Sequence, residues 1–381
     1  MSRPINILYI MDHFHGTGGT ERHLTYLVGQ LPREQFRCRI VVLDLAPNRW
    51  VDAIRAAGIP VIHVPVTREY APGALPRALE LSRIIRANET DIVQTFHQKS
   101  DTYGALIARL SGVRHIVSSK RDAGALKKPR HYFLNRRLRG LFEKVIVVAD
   151  SIGDVVVTKE QVPRSKIVRI YNGVDISAFA PPTPQQRTQA RERLGFTGDD
   201  FVVGMVARFR PEKSYDVFFE GAFAAAREIP RLRILAMGGG PLLEHFRKRY
   251  ARECAELRVQ IINDVTDVAG YLHAMDLGCL LPAGNEGFSN SVLEKMAVGL
   301  PMIVTDVGGN AEAVIDGDNG RVIPPRDAEA FRRALIGIYS DPTARAQMGQ
   351  RSRQLVEEKF TLQRMCEAHA ALYLSLMHGH A

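Results

Sequence analysis

Short apolar runs alternate with amphipathic helical patterns along the first half of this chain. The runs are rich in Ile and Val and rarely alternate with polar residues, a pattern typical of strands buried on both faces of a parallel sheet. They predict strands over residues 5–11, 39–43, 61–64, 91–95, 115–118, 145–148 and 167–170, with helices over 20–31, 75–88 and 101–111. This order indicates an α/β domain whose sheet is covered by helices.

A stretch of turn formers and prolines then interrupts the alternation, with Asn-Gly-Val-Asp at 172–175 and Ala-Pro-Pro-Thr-Pro at 180–184. Proline-rich segments act as semi-rigid connectors, so we place a domain boundary here. Beyond it the pattern predicts strands over 201–206, 232–237, 259–261, 277–281 and 302–305, and helices over 214–228, 242–254, 267–274, 291–298, 327–340, 343–359 and 362–377. The sequence therefore predicts two doubly wound, Rossmann-like α/β domains, residues 1–178 and 179–360, facing a central ligand cleft.

Composition agrees with this architecture, because 381 residues with 45% hydrophobic and 24% charged content suit a globular protein of two domains. The first apolar run is too short for a secretory signal, and no stretch approaches the ~20 apolar residues of a membrane-spanning helix. We therefore expect a cytoplasmic protein. The four cysteines are widely spaced without a CxxC pair, so neither a disulfide framework nor a zinc site is predicted.

Positive charge is concentrated in residues 120–144, which hold nine Lys or Arg against Asp122 and Glu143 within a chain of net charge +10. Aromatic and leucine residues recur there at near-helical spacing. Such a helix can lie on an anionic membrane surface. The commoner structure is a packed helix with a solvated basic face. No nucleic-acid-binding module surrounds the window, so nucleic acid is not an expected partner.

The segment 286–309 carries the clearest sign of ligand binding. Glu286 and Glu294 bracket a short polar loop that runs into an apolar helical pattern ending near Gly299. Carboxylates and free backbone N–H groups suit a ligand rich in hydroxyls, such as a sugar or a sugar phosphate. Taken singly, each glutamate could also be an ordinary surface acid. Glu286 could also simply stabilise the N-terminus of the following helix.

A glycine run, Gly16-Thr-Gly-Gly-Thr20, lies between the first strand and the first helix. It is compatible with a phosphate-binding loop at a helix N-terminus or with a plain tight turn. A dinucleotide fingerprint with Asp44 as the ribose ligand is the rival interpretation. Arg22 and His23 stand where that fingerprint would place a further glycine.

Three other features are candidates for chemistry. Arg208 and Lys213 come just after the first strand of the second domain, where two cations can neutralise a diphosphate leaving group, although a solvated basic loop explains them equally. His97 follows a buried strand, but a lone histidine is more often structural. The acidic run 316–320 misses the order of an EF-hand and is interpreted as a turn.

Taken in order, these motifs resemble the large family of retaining glycosyltransferases with the two-domain GT-B fold, family 4. The resemblance rests on E-G-F-S-N-S-V-L-E from Glu286, M-A-V-G-L-P from Met296 and D-V-G-G-N-A-E from Asp306. G-T-G-G-T-E-R, Phe96-His97, Asn-Gly-Val-Asp at 172–175 and the cations Arg208 and Lys213 extend it over nearly the whole chain. Each element alone is weak, and their shared order makes the match specific.

The resemblance implies a role for each matching position. The donor sugar would be held by one carboxylate and the loop amides that follow it, namely Glu286, Gly287, Phe288 and Ser289. The ribose would be bound by Glu294, and the diphosphate by cations and by N–H groups at helix starts, namely Arg208, Lys213, Gly18, Gly19, Ser291 and Val292. His97 would contact the donor sugar near the reacting carbon.

The resemblance also implies that no metal or other cofactor is needed, and that the helix of residues 361–381 packs back on the first domain, which takes the acceptor. Two positions depart from the family pattern: Ala283, where Ser is usual, and Lys295, where Ala is common. We expect neither departure to touch the chemistry.

The predicted activity is transfer of a hexose-type sugar from a nucleotide diphosphate-sugar to an acceptor hydroxyl with retained configuration. The acceptor would be lipid-linked or a saccharide, in polysaccharide or glycolipid biosynthesis. One alternative is a nucleotide-sugar epimerase of the same fold. An NAD(P)-dependent oxidoreductase using residues 16–19 and Asp44 would leave the Glu286–Glu294 segment without a role. The third alternative is a non-catalytic module that binds a sugar nucleotide.

Overall fold

The protein is described by a computed structural model over residues 3–16, 18–124, 127–256, 259–263 and 265–379. It divides into two compact units, Met1–Asn172 with Leu362–Ala381, and Gly173–Thr361. The sequence placed this boundary at residue 178. Residues 173–178 belong with the second unit because the Val174 N–H donates to Phe360 O at 2.9 Å and Arg353 Nη1 donates to Ile176 O at 3.3 Å.

The first unit is built on a seven-stranded sheet in the order β3-β2-β1-β4-β5-β6-β7, and every strand pair is parallel. Its strands are β1 Ile5–Met11, β2 Phe36–Val42, β3 Val61–His63, β4 Ile92–Phe96, β5 His115–Lys120, β6 Lys144–Val147 and β7 Ile167–Arg169. Its helices are α1 Gly19–Gln30, α2 Arg49–Ala56, α3 Ala74–Ala87, α4 His97–Lys99, α5 Ala105–Leu110, α6 Pro129–Leu138 and α7 Asp150–Val155. One π-helical turn, Ser100–Gly104, joins α4 to α5.

The second unit contains a six-stranded parallel sheet in the order β10-β9-β8-β11-β12-β13. Its strands are β8 Phe201–Val206, β9 Leu232–Met237, β10 Gln260–Ile262, β11 Leu277–Leu280, β12 Met302–Thr305 and β13 Gly320–Ile323. Its helices are α8 Pro184–Arg193, α9 Tyr215–Ala225, α10 Leu243–Arg249, α11 Ala251–Glu256, α12 Val268–Leu272, α13 Asn290–Ala297, α14 Asn310–Ala313, α15 Ala328–Ser340 and α16 Pro342–Lys359.

The final helix, α17 (Leu362–His378), packs in the core of the first unit. Leu372, Tyr373 and Leu376 join the apolar cluster formed by β1, α1 and β2. The hydroxyl of Tyr373 donates to Gln94 Oε1 at 2.7 Å, which satisfies one polar group of the buried β4 strand. The first unit is therefore assembled from two distant parts of the chain.

The predicted fold class, two doubly wound α/β units with parallel sheets, is confirmed. The structure adds elements that the sequence did not predict, among them α2, α7, α8, α14 and β13. The described part of the basic window 120–144 includes α6, whose apolar residues are mostly half-buried, and Phe133 is the one that is largely exposed (57%). None of the helices in the described part of the chain combines the length and apolarity needed to cross a bilayer.

Candidate functional site

The loop after β11 carries Glu286 and is held from three sides. The Ala283 N–H donates to Glu212 O at 2.9 Å, and the Gly309 N–H donates to Gly287 O at 2.6 Å. Gly308 adopts φ +60°, and a Cβ at this position would lie 2.2 Å from Glu286 O. The backbone of residue 308 therefore lies in direct contact with the backbone of Glu286. This contact requires glycine at 308 and fixes the loop.

Glu286 forms an ion pair with Lys213, with 2.6 Å between Oε2 and Nζ. The two side chains are 13% and 20% exposed, so the pair is only partly shielded from water. Lys213 ends the 3₁₀ turn Pro211–Lys213, and the next residue, Ser214, has φ +50° and starts α9. The structure thus brings together a cation and a carboxylate that lie 73 residues apart in sequence.

Helix α13 begins directly after this loop, with Ser289 as an extended N-cap residue that makes no side-chain capping bond. The first N–H groups of such a helix have no partner within the helix and favour an anion. Glu294 lies one turn further on and is buried (4% exposed). Ser291 Oγ donates to Val206 O at 2.6 Å, which ties the first turn of α13 to the end of β8.

Arg208 is exposed in the segment after β8. This segment packs against the glycine run after β9: the Phe209 N–H donates to Gly239 O at 2.9 Å. A Cβ on Gly238 would lie 2.0 Å from Ala207 O. The close approach that these glycines allow is therefore to the protein's own backbone, and it positions Arg208 at the carboxyl edge of the sheet.

Lys295, which departs from the family pattern and is expected not to touch the chemistry, lies beside Ser291 in the first turn of α13. Its side chain is fully buried (0% exposed), and its ammonium donates to Ser291 Oγ at 2.6 Å and to Ser291 O at 3.1 Å. Burial lowers the pKa of Lys295 to about 8. A cation thus lies directly behind the residues to which the resemblance assigns the diphosphate.

In the first unit, His97 follows β4 with φ +72°, a backbone conformation that non-glycine residues adopt mainly where function or packing demands it. Its ring stacks on His13 with centroids 4.6 Å apart. Burial lowers the pKa of His97 to about 3, so the imidazole is neutral at physiological pH. Its Nδ1 atom is buried and finds no hydrogen-bond partner among the described residues.

The glycine loop before α1 holds a carboxylate of the protein itself. Glu21, only 2% exposed, accepts the His15 N–H at 2.6 Å and the Gly18 N–H at 2.8 Å. The Gly18 N–H predicted to bind phosphate is therefore already engaged, whereas Gly19 stands at the first position of α1. Thr17, in the middle of the motif, lies outside the described residues.

The rival dinucleotide interpretation used Asp44 as a ribose ligand. In the structure Asp44 Oδ2 lies 3.1 Å from His15 Nε2. The carboxylate is thus part of the glycine loop's own surroundings.

Two charged residues that sequence reasoning missed lie at the carboxyl edge of the first sheet. Asp12, just after β1, accepts the backbone N–H groups of Lys99 at 2.7 Å and Ser100 at 2.6 Å, and burial raises its pKa to about 6. Arg121, just after β5, donates through Nη2 to Asn172 Oδ1, while its buried Nη1 has no partner among the described residues. Burial lowers the pKa of Arg121 to about 9. The signal for both was their place directly after a buried strand.

Comparison with known proteins identifies relatives over both halves of the chain. A model described as Glycosyltransferase Family 4 matches residues 17–178, and one described as Glycosyl transferases group 1 matches residues 186–355. The chain is 25% identical to a UDP-Gal:alpha-D-GlcNAc-diphosphoundecaprenol alpha-1,3-galactosyltransferase of Escherichia coli over 91% of each chain. It is 26% identical to a GDP-mannose-dependent alpha-(1-6)-phosphatidylinositol monomannoside mannosyltransferase of Mycolicibacterium smegmatis, over 87% of this chain and 88% of that relative.

Among solved structures, Anabaena Alr3699/HepE in complex with UDP shares the fold with a TM-score of 0.86 at 18% identity, covering 97% of this chain and 100% of that one. With one family model matched to each half of the chain, and with relatives aligned along most of its length, this protein belongs to the group 1, family 4 glycosyltransferases of the GT-B fold.

Proposed function

We propose that this glycosyltransferase moves a hexose-type sugar from a nucleotide diphosphate-sugar to an acceptor hydroxyl, with retention of configuration, in polysaccharide or glycolipid biosynthesis. The observation that carries the proposal is the Lys213–Glu286 pair, which adjoins the start of α13 through the loop 286–289. This arrangement offers an acceptor for sugar hydroxyls beside cations and N–H groups suited to a diphosphate.

The division of labour follows from charge. Glu286 accepts hydrogen bonds from sugar hydroxyls and keeps Lys213 in place. Lys213 and Arg208 stabilise the negative charge that develops on the departing diphosphate, the kind of oriented electrostatic stabilisation that usually contributes most to catalysis. Glu294 binds the ribose, and the N–H groups of Gly287, Phe288 and Ser289 contact the sugar.

Retention is proposed through departure of the diphosphate and attack of the acceptor hydroxyl on the same face of the sugar, with an oxygen of the departing phosphate taking the proton of that hydroxyl. Glycoside hydrolases use a pair of opposed carboxylates. Here Glu286 is paired with Lys213 and Glu294 is buried, so we assign neither of them that role. His97, held neutral by burial, can share a hydrogen bond with a sugar hydroxyl without adding charge. Its contact with the donor remains a prediction.

For the acceptor, we propose a lipid-linked saccharide that carries phosphate. The name of the Escherichia coli relative specifies a diphosphoundecaprenol-linked acceptor for that enzyme. In this chain Arg121 supplies a matching group, because its buried Nη1 lacks a partner among the residues that the structure describes and a buried cation without a counter-charge favours an anion.

Metal independence remains a prediction. Within the described ranges no group of three or more His, Cys, Asp or Glu side chains is arranged to hold a metal ion. The oxidoreductase alternative is less favoured, because its two key groups, the glycine loop and Asp44, are engaged by Glu21 and His15.

The decisive experiment incubates the purified chain with a panel of nucleotide sugars, with and without a lipid extract as acceptor source, and measures released nucleoside diphosphate and reduced nicotinamide. The proposal requires nucleoside diphosphate release that depends on acceptor and falls in Lys213→Ala. Release of a free epimerised sugar without acceptor, or reduction of nicotinamide, would overturn it.

A further inference from the structure

Lys295 is a buried cation, and the oxygens that accept its hydrogen bonds do not balance its charge. The two oxygens that its ammonium contacts, Ser291 Oγ and Ser291 O, are both neutral. The charged form is favoured by Glu294 on the same helix and by Glu286 in the preceding loop, and opposed by Lys213. Cys279 of β11 is the other titratable group that faces it, and burial raises the pKa of that thiol.

The fold makes room for this side chain. A Cβ at Gly278 of β11 would lie 2.5 Å from Lys295 Cδ, so the aliphatic chain of the lysine fills the space that any other residue at 278 would occupy. A long polar side chain that is accommodated in this way is part of the packed core, and its ammonium has a defined position.

That position links the two elements that carry the predicted diphosphate ligands. The ammonium donates to Ser291 Oγ at 2.6 Å, and the same hydroxyl donates its only hydrogen to Val206 O at 2.6 Å. The chain of bonds thus joins the first turn of α13 to the end of β8, two residues before Arg208. It also fixes the hydroxyl, since both its donor and an acceptor lone pair are used.

We propose that Lys295 is a positioning residue for the diphosphate of the donor: it holds the Ser291 hydroxyl that bonds the first turn of α13 to β8, and it places a buried positive charge behind the N–H groups of Ser291 and Val292. This inference rests on the proposed function, because it takes the ligand to be a nucleoside diphosphate. A positive charge there adds to the field of the helix N-terminus in a region where water does not screen it.

The test compares Lys295→Met with wild type in direct binding of UDP, GDP and ADP by calorimetry, without turnover. The best wild-type ligand should bind at least about ten-fold more weakly to Lys295→Met, which corresponds to the loss of one charge-assisted interaction. Thermal stability should stay equal or rise, because replacing a buried cation by an apolar isostere is often neutral or stabilising. Lys359→Met removes an exposed lysine of the same unit and controls for net charge.

A second readout is protonation. Because the pKa of Lys295 lies at about 8, anion binding near pH 8.5 should draw a proton onto the wild-type protein but not onto Lys295→Met. Measuring the binding enthalpy in two buffers of different ionisation enthalpy shows this directly. Equal affinity in both proteins with a lower melting temperature for Lys295→Met would overturn the inference in favour of packing alone. If wild type binds none of the nucleotides, the proposed function itself has failed.

An independent observation concerns the outer surface of the first unit. Four leucines there are unusually exposed: Leu75 (66%), Leu79 (54%), Leu106 (44%) and Leu110 (72%). We call them the leucine patch. Large apolar side chains exposed in a group, rather than singly, mark an interaction surface.

The leucine patch is contiguous because α3 and α5 run side by side. Ser82 and Ser111 share a hydrogen bond of 2.8 Å between their hydroxyls, and Arg86 Nη2 reaches Leu110 O at 3.5 Å. Residues 75, 79, 82 and 86 form one helical stripe, so Leu75 and Leu79 lie on the side of α3 that contacts α5. Positive charge surrounds them: residues 74–87 carry three Arg against one Glu, and 105–114 carry two Arg.

We infer that the leucine patch docks the protein on an anionic lipid bilayer, its leucines entering the interface and its arginines contacting headgroups. The sequence had assigned membrane contact to residues 120–144. In the structure α6 offers mainly Phe133 to solvent, with the Arg137 guanidinium 5.1 Å from the ring centroid, whereas its other apolar residues are half-buried. Exposed leucine with flanking arginine is the more favourable combination for interfacial binding.

Co-sedimentation with vesicles of phosphatidylcholine and phosphatidylglycerol tests this surface. Wild type should pellet with the vesicles, and the combined change of Leu75, Leu79, Leu106 and Leu110 to Ser should abolish pelleting while nucleotide binding is kept. Changing Arg130, Arg136 and Arg137 to Gln should leave most of the pelleting. Loss of pelleting in the arginine variant alone would refute the assignment. So would a wild type that binds no vesicles but is a dimer in light scattering, if the serine variant is a monomer.

Discussion

Replacing Gly308 by alanine should disable the donor loop while leaving the fold intact. The added Cβ would lie 2.2 Å from Glu286 O, so the oxygen must retreat by about 1.2 Å to reach an ordinary contact of 3.4 Å. A misplacement of ~1 Å near the reacting atoms can reduce turnover ~10²-fold. The left-handed conformation of residue 308 should add roughly 1 kcal/mol of destabilisation for any residue with a Cβ.

Gly317→Ala provides the matched control. Gly317 also has positive φ (+80°), but a Cβ there would meet nothing within 4 Å. Gly308→Ala should lose more unfolding free energy in urea than Gly317→Ala, because its Cβ also meets backbone atoms, and only Gly308→Ala should lose turnover in a nucleoside diphosphate release assay. Full activity of Gly308→Ala at a stability equal to that of Gly317→Ala would refute the claim that this contact positions Glu286.

Three further outcomes are expected. Lys213→Ala should reduce kcat by ~10²–10³ with little change in melting temperature, because the lost charge acts mainly on the departing diphosphate; a normal rate would exclude that role. His369 is fully buried with its pKa lowered to about 4, so its neutral form stabilises the fold above pH 6.5, and that stability is lost as the pH falls towards 4. The loss should reach about 2 kcal/mol at pH 5, and urea unfolding of His369→Asn should show a weaker acid dependence. Glu160→Gln breaks the buried pair with Lys120 (2.9 Å) and should lower the free energy of unfolding in urea by about 3 kcal/mol. The control Glu329→Gln, on the surface, should change that free energy little. Equal effects of the two changes would show that burial does not determine the strength of the pair.

The strands of both sheets could be predicted because they are buried on both faces and therefore apolar without interruption. The exceptions share a physical cause. Strand β13 pairs only with β12 at the sheet edge, and its Gly320 and exposed Arg321 give no apolar run. Helix α8 is polar all round, and its signals were a proline at the first turn and the capping residues Thr183 and Gln186. Such elements form through local capping and tertiary contacts, which apolar periodicity does not report.

The sequence singles out the loop that carries Glu286 because its motif is continuous. The Lys213–Glu286 contact was harder to predict, because it depends on how the segment after β8 meets the loop after β11. The contact of Lys295 with Ser291 is local to α13, whereas the packing of Lys295 against Gly278 depends on how α13 meets β11. The engagement of Gly18 by Glu21 was likewise invisible, because spacing shows which N–H groups are near a helix start but not which are already bonded.

The return of α17 to the first unit has a consequence for biosynthesis. Residues 362–378 leave the ribosome only after the whole of 173–361, so the second unit can complete its fold while the first still lacks Leu372, Tyr373 and Leu376. Until then β1 and α1 expose part of their apolar surface, which makes the nascent first unit the aggregation-sensitive species. The unit whose synthesis begins first can therefore complete its core only after residues 362–378 have been made.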